Sequence, residues 1–190
     1  RAYLPFMKRV APTKPKVVAA VVVIAMLAIP VTAQETIGTE LPAEYRLELA
    51  KSAVDRNYTL YGIGMGATIA TGFPGPALMA VSGDLVVQNA QRYARILEDV
   101  SPSVSVEPAR TYARRHNAGL ITSGLGTVVF TAGLLTFGSG HYEADDETVQ
   151  MTGGIIAGVG AAGVLTGLVI DAFAVTGARN WVREQHRRKR

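Results

Sequence analysis

The sequence predicts an all-α integral membrane protein, with three transmembrane helices after a cleavable signal peptide and the last two paired as an antiparallel, glycine-packed hairpin. Three observations carry that expectation. Apolar residues make up 48% of the chain and charged residues only 18%. Residues 58–81, 118–137 and 152–175 are apolar stretches, each holding the roughly 20 residues a helix needs to cross about 30 Å of hydrocarbon. Within the last two, glycines recur every seven residues.

Residues 1–33 read as the leader. From Met7 a basic start, MKRVAPTKPK, is followed by the apolar run VVAAVVVIAMLAI, then Pro30 and small residues at Val31 and Ala33. This is the pattern of a secretory signal peptide, with cleavage expected after Ala33. A retained anchor is the alternative, but the run is short for a span. Residues 34–57 follow as an exported segment. Leu41, Tyr45, Leu49, Val54 and Tyr58 recur at roughly helical spacing, which predicts an amphipathic helix over 42–57.

The stretch 58–81 is the first predicted span. GFPGPA interrupts it near its inner end, where Pro74, Gly75 and Pro76 require a kink or break because proline removes a backbone donor and crowds the preceding turn. Residues 82–117 form a helical loop. From a cap at Asp84, Val86, Val87, Ala90, Tyr93, Ala94 and Leu97 share one face, opposite Gln88, Arg92 and Arg95, and Ser101-Pro102 ends the helix. The spans 118–137 and 152–175 flank the acidic loop 138–151, and a basic tail, 176–190, closes the chain.

Charge placement sets the expected direction. The loop 82–117 carries Arg92, Arg95, Arg110, Arg114 and Arg115, and six Lys or Arg fall between Arg179 and Arg190, whereas 138–151 has none. Basic loops stay on the cytoplasmic side. The loop 82–117 and the tail are therefore expected inside and 138–151 outside, as a multi-pass protein of a bacterial inner membrane with a cytoplasmic C-terminus. The formal charge of +4 does not indicate a nucleic-acid partner, because beyond residue 33 there are 14 basic and 15 acidic residues. With no cysteine there are no disulfides and no thiolate metal sites.

Gly158, Gly160, Gly163 and Gly167 spell G-x-G-x-x-G-x-x-x-G, the spacing of a dinucleotide-binding turn. That turn needs a strand before it and an acidic residue at the end of a second strand after it. Here the glycines lie inside a spanning run and the chain ends in WVREQHRRKR, so no cofactor is expected. Helical packing accounts for them instead. Gly119, Gly126 and Gly133 form one stripe and Gly153, Gly160 and Gly167 another, and an antiparallel register pairs Gly133 with Gly153, Gly126 with Gly160 and Gly119 with Gly167. Carried inward by four residues, the register puts Arg115 opposite Asp171. An ionisable residue in a span needs a partner, so an Arg115–Asp171 ion pair is expected.

The remaining candidates carry little chemistry. His141, Glu143, Asp145, Asp146 and Glu147 lack the spacing of a calcium loop and read as a solvated turn. His116 and His186 sit among arginines and read as interfacial, and Ser123 lacks a nucleophile elbow. Tyr58, Tyr61 and Trp181 read as interfacial anchors. The expected function is a structural or accessory membrane subunit rather than an enzyme. The alternative is an oligomeric transporter or channel using the broken first span and Asp171. Expected partners are the lipid bilayer, anionic lipid at the basic tail, and further copies of the chain or another membrane protein.

Overall fold

The computed structural model describes residues 41–71, 75–143 and 147–189. Among them the chain is all helical: α1 (Ala43–Thr71), α2 (Gly75–Val100), α3 (Glu107–Glu143) and α4 (Glu147–Arg188). The proposed signal peptide lies outside the described residues, as do Pro74, Asp145 and Asp146. Residues 42–190 form one compact unit.

The four helices make two antiparallel hairpins, α1 with α2 and α3 with α4, and each packs more extensively within itself than against the other. Their lower halves combine into a four-helix base. Its core takes Leu47, Ala50 and Val54 from α1, Val86, Tyr93 and Leu97 from α2, Ala109 and Ala113 from α3, and Ala178, Trp181 and Val182 from α4. The six apolar positions of 86–97 that share a face are all buried there. Along α1 the buried positions include 47, 50, 54, 57, 61 and 64, a three-four alternation that keeps one seam inward. Tyr45 and Leu49, read as part of the apolar face, are exposed at 53% and 42%.

Ion pairs tie the foot of α1 to the end of α4. Asp55 accepts from Arg179 Nε at 3.2 Å and Arg183 Nε at 2.7 Å. Arg179 also lies 4.1 Å over the Tyr58 ring. His186 Nε2 stands 2.9 Å from Glu48 Oε2.

Two consequences correct the expected topology. First, 58–81 is not one span, because α1 ends at Thr71 and α2 begins at Gly75 and folds back along it. Pro76 falls in the first turn of α2, where a missing N–H costs nothing. Thr68 Oγ1 lies 3.5 Å from Met79 Sδ across the fold. The apolar stretch thus divides between two helices, with Gly75 and Pro76 opening the second, and Asp84 lies inside α2, not at its cap. Second, 43–57 and the tail, expected apart, pack against each other. The tail is the end of α4, and its core residues pack with those of α1.

Among the described residues two helices are long and apolar enough to cross a membrane, α3 over 107–140 and α4. Both extend into the stretch read as a loop, to Glu143 and from Glu147. At about 1.5 Å per residue each exceeds the roughly 30 Å of a bilayer core, so one part is long enough to cross while the rest builds the base. Only 11% and 22% of their apolar windows are buried, unlike the core helices of a soluble protein. Ile121, Leu125, Leu135, Ile155, Val159 and Phe173 all point outward. The exposed Thr127, Thr131 and Thr136 return their hydroxyls to the carbonyls four residues back, so they leave no donor unpaired in an apolar surrounding.

Candidate functional site

The glycine stripes meet along α3 and α4. A Cβ added at Gly160 would lie 2.1 Å from Phe130 N and 2.8 Å from Gly126 O. At Gly126 it would lie 2.4 Å from Val164 N, and at Gly133 2.2 Å from Ala157 N and 2.8 Å from Gly153 O. Gly153 and Gly167 are as closely opposed, to Phe137 N at 2.3 Å and Ser123 N at 2.4 Å. Gly119 meets Gly167 O and Asp171 N, each at 2.8 Å. Backbone touches backbone down the seam, a distance that no side chain permits.

At the lower end of that seam the structure departs from the expected ion pair. Asp171 is buried, and its partners are Tyr61, whose hydroxyl donates to Oδ2 at 2.8 Å, and His116, whose Nδ1 stands 2.5 Å from Oδ1. Arg115 is exposed. One residue along a helix is about 100° of rotation, and the position next to Arg115 faces the centre, where α1 also packs. The two-helix register could not include that contact. Arg115 is turned to solvent instead, where its charge needs no partner.

His116 is fully buried, and on its other side Nε2 faces Asp84 Oδ1 at 3.8 Å, too far for a hydrogen bond. Nε2 has no hydrogen-bond partner. Asp84 is half exposed, and its second oxygen accepts from Gln88 Nε2 at 2.6 Å. Each helix therefore contributes one residue to a polar chain: Tyr61 from α1, Asp84 from α2, His116 from α3 and Asp171 from α4. Gly83 lets this junction close, since a Cβ there would stand 3.1 Å from the Tyr61 ring and 3.2 Å from Val175.

His116, expected at the interface among arginines, instead has carboxylates beside both ring nitrogens. The signal available was its position three residues before Gly119, on the same side of α3. Nothing in the sequence brings Tyr61 and Asp84 to it without the folding back of α2. The expected interfacial anchors are also inside the base. Tyr61 is 1% exposed, and Trp181 packs edge-on against Tyr93, with ring centroids 6.1 Å apart.

Among the described residues no group of acids and histidines could hold a metal. A shallow basic cleft of about 320 Å³ lies at the foot of the base, lined by Lys51, Asp55, Arg183, His186 and Arg187. Burial alone would raise the pKa of Asp55, but the hydrogen bonds and charges of Arg183 and Arg179, with Lys51, hold it below the usual carboxylate value. Comparison of the chain with protein-family models, curated proteins and solved structures gives no match.

Proposed function

We propose that this chain is a small polytopic membrane protein acting as a structural or accessory subunit, without catalytic activity of its own. The observation that supports this reading is the build of the α3–α4 hairpin. Its inner seam is closed backbone to backbone by glycine, while its outward faces are apolar and uncovered. Such a hairpin suits lipid or the helices of another membrane protein.

The charge distribution favours a cytoplasmic base. Over residues 43–60, 82–117 and 171–190 there are 14 Lys or Arg against nine Asp or Glu, while 118–170 holds only the four acids at 143, 145, 146 and 147. On this reading the base and the C-terminus are cytoplasmic in a bacterial inner membrane, with anionic lipid drawn to the basic cleft. Further copies of the chain or a different membrane protein cover the apolar faces.

The second reading, an oligomeric transporter or channel, draws on Asp171, because Asp84 across His116 supplies a second carboxylate. What it lacks is a continuation, since residues 118–142 and 148–170 contain no acid or base other than His141 near the turn. Purification in mild detergent separates the two. A stable complex with a different protein supports the accessory subunit, and a homo-oligomer enclosing an axial polar path supports the transporter.

A further inference from the structure

We propose that His116 is a proton-operated latch between the two helical hairpins. With both ring nitrogens protonated, His116 bridges Asp171 of α4 to Asp84 of α2. Loss of the Nε2 proton releases Asp84, and α2 loosens against α3.

The geometry is that of a switch with one fixed and one free side. On the fixed side, Nδ1 is held at 2.5 Å by Asp171, whose other oxygen is occupied by the Tyr61 hydroxyl. An ionised carboxylate only accepts, so beside it the ring presents Nδ1–H. On the free side, Nε2 is buried and unpartnered, and Asp84 stands 3.8 Å away. As a bare lone pair Nε2 faces a carboxylate with no proton between them, which is unfavourable. As an N–H it completes an ion pair with a short movement of either side chain.

The groups facing the ring come from every helix packed on it: Tyr61 of α1, Asp84 of α2 and Asp171 of α4. On α3 itself, Arg115 is exposed and Arg114 turns to Glu107. No other cation therefore balances Asp84 and Asp171 across this junction among the contacts described. The half-exposed Asp84 gives the proton a route from water to Nε2.

The seam it crosses is the weaker one in the fold, because each hairpin packs mainly within itself. Imidazole is the side chain able to gain and lose a proton near neutral pH. A single buried imidazole at that seam can therefore move the balance between a docked and a loosened α2.

The test uses the full chain, whose lack of native cysteine permits clean labelling. Spin labels at Arg95→Cys on α2 and Asn117→Cys on α3, both exposed positions, report the distance between hairpins in phosphatidylcholine nanodiscs from about pH 5 to 9. The expected result is one short distance at the acid end and a longer population that grows at least about tenfold toward the alkaline end. Asp84→Asn and His116→Gln both abolish that dependence. Asp84→Asn, at a half-exposed position, keeps the test readable where His116→Gln fails to fold. An unchanged wild-type distance across the range, or an Asp84→Asn variant that titrates as the wild type does, overturns the latch.

Discussion

His116 and Asp171 are joined by a contact of 2.5 Å with both side chains closed off from solvent. A buried charge left without its partner is strongly destabilising, so the pair sets the cost of every change around it. His116→Ala strands Asp171 and is expected to cost about 3–5 kcal/mol. Tyr61→Phe removes one hydrogen bond to a charged acceptor, about 1.5–3 kcal/mol. Arg115→Ala, at an exposed position, stays within about 0.5 kcal/mol. Unfolding in mixed detergent measures all three, and an Arg115→Ala loss equal to that of His116→Ala would restore arginine as the partner of Asp171.

The glycine seam makes a prediction with an internal control. An alanine at Gly160 puts its Cβ 2.1 Å from Phe130 N, and backbone cannot yield as a side-chain tip does. Gly160→Ala is expected to force α3 and α4 apart and cost about 1–3 kcal/mol or more. Gly124 has nothing within 4 Å, so Gly124→Ala gains up to about 1 kcal/mol of helix propensity. Equal effects of the two substitutions on hairpin unfolding would mean that the stripes do not touch.

These two cases mark how far the sequence is legible. Seven-residue spacing of glycine carries helix, face and register together, because two regular helices in contact leave little else to specify. The 86–97 face is readable for the same reason: one periodicity on one helix. The reversal between α1 and α2 is not, since the same Pro and Gly residues suit a kinked span and a break between two helices alike. From that one ambiguity came the span at 58–81, the opposite placement of 43–57 and the tail, and the membrane-anchor reading of Tyr61. Asp171 could be recognised as needing a partner, but choosing between adjacent residues 115 and 116 depends on where α1 packs.

Acid should weaken the base through Asp55. Its folded pKa is depressed by Arg183, Arg179 and Lys51, so its contribution is complete above the ordinary carboxylate value of about 3.9. That contribution is lost as pH falls through the folded value. Asp55→Asn should therefore lower the melting temperature near neutral pH, and its melting curve should converge with that of the wild type in acid, once the pH is below the folded value. A difference that persists undiminished in strong acid would point to packing instead of charge.

The most direct test of the whole account is which residues share a side of the membrane. Single cysteines at positions 45, 95, 147 and 184, all exposed, can be probed with an impermeant maleimide in spheroplasts and in inverted vesicles. The two-span arrangement predicts that 45, 95 and 184 are labelled from one side and 147 from the other. Labelling of 45 from the side opposite 184 would contradict it, because α1 and the end of α4 could then not share the base in the membrane.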